Sequence, residues 1–184
     1  MKKEIVVKMI ETLKNTRNEF SFYEFNECLV KSAKLTEKEK SEIFEAFTNF
    51  VLRYFETNAV YGLDCDGTHF VTGKKVFVKT SFKTDSNLYA SFSGKAANED
   101  ISELIKEASK NGFDKKTDLI MYVCNYGVDT FFLKDNIKKA LKTDNSNSEN
   151  NPYILILDEK ALVDMIGWGN IRFWNSLSEY FKNM

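Results

Sequence analysis

Apolar positions in the first third of the chain recur every three to four residues. Ile5, Val6, Met9, Ile10 and Leu13 fall on one helical face and predict a helix of about 13 residues that ends in the polar stretch 15–19. Ser21-Phe22-Tyr23-Glu24 reads as a capping box, in which the serine hydroxyl and the glutamate carboxylate satisfy first-turn amides reciprocally, with Phe22, Phe25 and Leu29 as the buried side. Thr36-Glu37-Lys38-Glu39 repeats the device and opens the longest predicted helix, about 37–56. Its stripe is Ile43, Phe44, Phe47, Phe50, Val51, Tyr54 and Phe55.

Near Asn58 the period falls to about two. Turn residues at Asp66-Gly67 and Thr72-Gly73-Lys74 then divide predicted strands at 59–64, 68–72, 75–82 and 88–93, and such short turns imply antiparallel neighbours. After Gly94 helices and strands alternate: a helix at 99–110 stopped by Asn111-Gly112, a strand at 118–124, a helix at 129–142, a strand at 153–157, and helices at 158–166 and 170–182. Strands separated by helices predict parallel pairing. The polar segment 143–151 reads as a surface loop closed by Pro152, the only proline, and no internal repeat is present. The expected fold class is mixed α/β. It has a helical extension over 1–36 and an α/β domain over 37–184 built as a mixed sheet flanked by helices.

Composition narrows the function classes. The 184 residues are 43% apolar and include 16 Phe, 8 Tyr and 2 Trp, ample for a core and incompatible with disorder over most of the chain. A formal net charge of -1 argues against a general polyanion binder, and only Arg17, Arg53 and Arg172 among the 26 basic residues could read bases as arginine does. The single His69 removes zinc sites built on several histidines and reads as a surface strand residue, with no adjacent nucleophile or orienting acid. Cys28, Cys65 and Cys124 form no CxxC pair; Cys65 lies between two acids that disfavour its thiolate, and the other two are expected in the core. No apolar run reaches the roughly 20 residues of a membrane span, and the N-terminus leads into an amphipathic helix, so a soluble, cytoplasmic protein is expected.

The stretch with the most chemistry is Gly62-Leu63-Asp64-Cys65-Asp66-Gly67, followed by Lys79 in Val76-Phe77-Val78-Lys79-Thr80. A carboxylate at a strand end beside a lysine on a nearby strand can hold Mg²⁺ and orient a water against a phosphodiester, because the metal and the ammonium neutralise developing charge. Asp-Gly is equally a hairpin turn, and an alternating strand places a lysine on its solvent face without any function.

This succession of helix, strand ending in Asp, strand ending in Lys, then alternating helices and strands resembles the core of the PD-(D/E)xK nucleases over about 40–166. Within that superfamily it is most similar to the Mrr-like restriction endonuclease branch. There the lysine strand often reads V-Q-x-K or V-E-x-K against Val76-Phe77-Val78-Lys79 here, and a later strand runs into L-I-D-G-x-x-L against Ile156-Leu157-Asp158-Glu159-Lys160-Ala161-Leu162. A Phe-Glu pair in the first core helix is matched by Phe44-Glu45. The resemblance implies metal-dependent hydrolysis of nucleic acid in a defence or restriction setting. Asp64 and Asp66 would be metal ligands, and Asp64, Lys79 and Glu45 the catalytic groups. Phe77 departs from the pattern by standing where the family places Glu or Gln, so Glu45 or Asp66 would have to supply that carboxylate, or the site is inactive. Glu45 lies roughly 150° from the centre of its helix's apolar stripe, which points it to solvent. An inward Lys79 would need an acidic partner, for which Asp64 is the first candidate.

Residues 1–80 also resemble a winged-helix module, with Thr68-His69-Phe70-Val71-Thr72-Gly73-Lys74-Lys75 as the wing. Lys74, Lys75 and Lys83 are then the candidate phosphate contacts. Glu37, Glu39, Glu42 and Glu45 make the third helix a poor groove reader, so a winged-helix fold used for protein contact is the competing expectation. That reading gives a non-catalytic immunity, anti-restriction or phage-encoded inhibitor protein. It would meet a protein partner, or a second copy of itself, through the acidic third helix or through Trp168, Ile171, Trp174, Leu177 and Phe181, whose spacing equally suits a core-packing helix. Ser91-Phe92-Ser93-Gly94-Lys95 is only a fragment of a phosphate loop and predicts no nucleotide site.

Overall fold

The computed structural model of the protein describes residues 1–55, 76–85, 90–141 and 152–184. Three helices come first: α1 (Lys3–Thr16), α2 (Phe22–Lys31) and α3 (Glu37–Tyr54). Both predicted capping boxes are present. The Ser21 amide donates to Glu24 Oε2 at 2.7 Å and the Thr36 amide to Glu39 Oε2 at 2.8 Å, so each helix starts where its sequence signal lies. Then follow β1 (Val76–Ser81), α4 (Ala90–Lys110), β2 (Leu119–Cys124), a 3-10 turn (Thr130–Phe132), α5 (Asp135–Ala140), β3 (Ile154–Leu157), α6 (Glu159–Ile166) and α7 (Ile171–Asn183).

The fold is mixed α/β, as the alternating second half predicts. The described strands form one sheet in the order β1-β2-β3, parallel throughout, with Lys79 opposite Tyr122 and Tyr122 opposite Ile156. Every side chain of the central strand β2 is buried, and they divide strictly by parity. Leu119, Met121 and Val123 join a core with α1, α2, α3, α6 and α7, whereas Ile120, Tyr122 and Cys124 join a second core with α4 and α5. Helices therefore cover both faces of the sheet. The first core is dominated by aromatic rings: Phe22 stacks on Phe47 with centroids 5.0 Å apart, and Phe25 meets Trp174 at 5.3 Å. Val6, Ile10, Phe22 and Phe25, from the expected 1–36 extension, belong to this same core, with α1 packed on α7 and α2 on α6. No helix among the described residues is long and apolar enough to cross a membrane.

Three predicted elements differ from the observed ones. The strand expected at 75–82 is present as β1 but pairs in parallel with β2 instead of in a meander; the expected strands at 59–64 and 68–72 lie outside the described residues. The stretch expected as a strand at 88–93 is helical from Ala90, continuous with the predicted helix at 99–110. Its inner face runs through Ser93, Gly94, Ala97 and Asn98 before reaching Ile101 and Leu104, and small or polar residues hide a helical period from any reading of hydrophobicity. The helix expected at 129–142 is broken in two. The Asn98 side chain donates to the Phe132 carbonyl at 2.8 Å and accepts from the Lys134 amide at 2.8 Å, taking groups that a continuous helix would pair internally.

This junction needs Gly94. A Cβ there would overlap the Cβ of Phe132, so the 3-10 turn can lie against α4 only over a residue with no side chain. Gly94→Ala should therefore destabilise the protein by about 1–3 kcal/mol through overpacking. That outweighs the roughly 1 kcal/mol by which alanine favours a helix interior over glycine. Urea unfolding of wild type and Gly94→Ala measures the difference; an unchanged or raised midpoint would show that the turn is not held against the helix.

Candidate functional site

In open parallel sheets ligands bind beyond the carboxyl ends of the strands, where connections diverge and leave a crevice. Here the chain leaving β1 (Lys83, Asp85), the chain leaving β2 (Asn125, Tyr126, Gly127), the start of α6 after β3 (Glu159) and one side of α2 (Tyr23, Asn26, Glu27, Lys31) enclose a cleft of about 330 Å³.

Its floor is a closed hydrogen-bond network. Buried Asn125, the first residue after β2, donates through Nδ2 to the Lys83 carbonyl (2.8 Å) and to Asn26 Oδ1 (3.0 Å), while its Oδ1 accepts from the Lys83 amide (2.8 Å). Asn26, equally buried, donates through Nδ2 to the Asn125 carbonyl (2.9 Å) and to Glu159 Oε2 (2.8 Å). Each amide uses both of its N–H donors and its oxygen, so the pair has one geometry and fixes the backbone of Lys83 and the carboxylate of Glu159 relative to each other. Asp158 completes the frame. One carboxylate oxygen caps α6 at the Ala161 amide (2.9 Å) and the other accepts from the Val128 amide (3.0 Å).

Half-buried Glu159 is held above the usual carboxylate range. Burial is the main cause; the Asn26 hydrogen bond opposes it, and the neighbouring Asp158 charge adds to it. A carboxylate displaced toward neutrality in a cleft is equipped to exchange protons. Exposed Lys83 also lines the cleft and supplies a cation, while Lys31 on the rim is engaged with Glu27 at 2.6 Å.

Tyr126 connects the cleft to a second polar cluster on the α4 side of the sheet. Tyr122 donates to Asp100 Oδ2 at 2.8 Å, which leaves the Tyr126 hydroxyl as the donor in the bond between the two tyrosines, and Ser81 Oγ lies 3.3 Å from the Tyr126 hydroxyl. Burial pushes the Tyr126 hydroxyl up to about 12 and raises Tyr122 further, so both stay protonated as donors. Lys79 ends in this cluster, 3.0 Å from Glu103 and 3.9 Å from Asp100.

Three of the site residues expected from the sequence, Lys79, Glu45 and Lys83, are among the described residues. Lys79 does have the acidic partner that an inward lysine needs, supplied here by α4. Glu45 is on the exposed face of α3, as its helical phase indicates, and Lys83 lines the cleft. Asp64, Asp66, Lys74 and Lys75, with Cys65, His69 and the wing, lie outside the described residues. Phe77 turns into the second core and meets Phe113 edge-on at 5.8 Å, with no polar function at that position. Cys124 is buried with its thiol raised by burial, and half-buried Cys28 is raised for the same reason, which leaves both poor nucleophiles. The aromatic C-terminal helix packs inward through Phe173, Trp174, Leu177 and Phe181; Trp168 and Ile171 stay exposed. Among the described residues no group of three or more His, Cys, Asp or Glu is placed to hold a metal ion.

Glu159, Asn26 and Asn125 are the cleft residues that sequence reading passed over. Asp158-Glu159 does stand in the motif that carries the resemblance, but the two asparagines are 99 residues apart and carry no local signal. Comparison with protein-family models, curated proteins and solved structures finds no match for this chain.

A carboxyl whose folded pKa is raised binds its proton more tightly in the folded state than in the unfolded state. The stability it permits is complete below the ordinary glutamate pKa and falls as pH rises through the raised value. Denaturation midpoints should therefore decline through that window in wild type and decline less in Glu159→Gln. Identical slopes would mean that Glu159 titrates as an exposed carboxyl.

Proposed function

We propose that the protein hydrolyses phosphodiester bonds of nucleic acid, with the cleft at the carboxyl ends of the strands as its reaction centre. The observation that carries this reading is the fixed pairing of a carboxyl displaced toward neutrality, Glu159, with the Lys83 segment on the opposite wall. The resemblance of Ile156–Leu162 and Val76–Lys79 to Mrr-like nucleases supports the same chemistry and implies a defence or restriction setting.

In this reading Glu159 accepts the proton of a water as its oxygen attacks phosphorus, the P–O ester bond opposite breaks and the leaving oxygen takes that proton back from Glu159, while the Lys83 ammonium stabilises the charge that grows on the non-bridging oxygens. Asn26 and Asn125 keep the two walls in register, which holds the acceptor in position for the attacking water. The Mg²⁺ implied by the resemblance falls to Asp64 and Asp66. Among the described residues no group of three or more acidic, cysteine or histidine side chains makes a complete site for it. Lys79, engaged with Glu103 and Asp100, acts in this reading as a structural cation.

Purified protein incubated with duplex and single-stranded DNA and with RNA, with Mg²⁺, with Mn²⁺ and with chelator, should cleave at least one substrate. Glu159→Gln, which retains the Asn26 contact, should lower the rate about 100-fold or more, the usual contribution of a positioned base. Lys83→Ala should act in the same direction, and Lys79→Ala should stay within about tenfold of wild type. Wild-type cleavage by Glu159→Gln would remove the cleft from the reaction. A large loss in Lys79→Ala alone would move the chemistry to the α4 side.

One observation favours a second reading, a non-catalytic protein-contact role: Trp168, in the turn before α7, and Ile171, its first residue, are 59% and 49% exposed. Absence of cleavage on every substrate, with self-association that Trp168→Glu abolishes, would select it.

A further inference from the structure

The connection that lines the cleft with Asn125, Tyr126 and Gly127 continues into the 3-10 turn, where Phe131 is 74% exposed. This exposure does not come from a loose loop. Asp129 caps the turn by accepting from the Phe131 amide at 2.9 Å, and Leu133 anchors its end in the second core. Beneath it, Asn98, only 9% exposed, takes the Phe132 carbonyl and the Lys134 amide, and Gly94 lets the turn come down onto α4. The backbone is thus held from below by buried groups while the ring above is left in water, where folding gains little from it. Phe132 meets that ring edge-on at 5.1 Å, and the Lys138 ammonium lies 5.5 Å from its centroid. Lys134 and Lys139 are exposed nearby, as are Asp135 and Asp129, the latter accepting from the Phe131 amide.

We infer that Phe131 is a stacking platform for an unpaired nucleobase of a single-stranded nucleic acid whose phosphates run along Lys134, Lys138 and Lys139. A rigid exposed ring beside a cation offers what a base and its phosphate take together, a π-face and a charge, and it needs no particular base identity. Duplex DNA presents no free base face to it. With a formal net charge of -1 the chain attracts phosphate only weakly, so the base contact carries most of the affinity and the salt dependence is shallow. Phe131 is four residues from Gly127 on the cleft wall, at most about 14 Å of chain, so a strand stacked here extends toward the cleft. That direction rests on the hydrolytic reading above; the stacking itself does not.

The test is fluorescence anisotropy with labelled dT15 and rU15, and with an abasic strand of the same length and charge. Wild type should bind the base-bearing strands about tenfold more tightly than the abasic one. Phe131→Ala, a surface change, should erase that difference, Phe131→Trp should keep or enlarge it, and Lys138→Ala should reduce the salt slope by about one. The two base-bearing probes report which sugar is preferred. Equal affinity for abasic and base-bearing strands, or wild-type binding by Phe131→Ala, would overturn the proposal. So would absence of binding to both labelled strands, the result expected if the ring receives a protein. If nothing is cleaved but stacking through Phe131 is measured, hydrolysis fails as a reading and the platform stands.

Discussion

Strand β2 is apolar toward both faces of the sheet, and the rest of the structure follows from covering it twice. Leu119, Met121 and Val123 require one layer of helices and Ile120, Tyr122 and Cys124 another, so no described face of the strand is left for solvent. Burying a large aliphatic or aromatic side chain contributes roughly 1.5–3 kcal/mol, so one such strand can commit several helices to it. The aromatic helices α2, α3 and α7 meet the first face, and α4 and α5 close the second.

The cleft is a consequence of the same constraint. At the end of β2 the chain must leave the sheet while still buried, and its polar backbone has to find partners without water. Asn125 solves this at the first residue past the strand by binding the chain that leaves β1 and the side chain of Asn26 from α2. The pair brings Glu159 and Lys83 to one crevice. Glu159 is displaced toward neutrality because that crevice is partly dry, so a packing solution and a chemical property have one cause.

Much of the fold was legible. Both capping boxes, the apolar stripes of α1 to α3 and the runs of β2 and β3 are local signals, and each lies within a residue or two of its predicted place. Where reading failed, the deciding contact was distant in sequence. Ser93, Gly94, Ala97 and Asn98 face inward on α4 because a neighbouring turn needs close approach and hydrogen bonds, so hydrophobic periodicity misrepresents that helix. Phe77, which the sequence already shows as a departure from the nuclease-like pattern, packs on Phe113, a partner its spacing does not reveal. The spacing of Lys79 says nothing about Asp100 and Glu103, which reach it from the next helix.

By itself the amino-acid order determined the capped helices and the buried strands, since caps, helical stripes and apolar runs depend on neighbours within about four residues. It determined the class as well, because alternating strands and helices pack as layers. Which polar groups share a space was decided only in three dimensions. Asn26 meets Asn125, Lys79 meets Glu103, and Glu159 meets the Lys83 wall through contacts between elements far apart in the chain, and side-chain chemistry over such separations leaves no periodic trace.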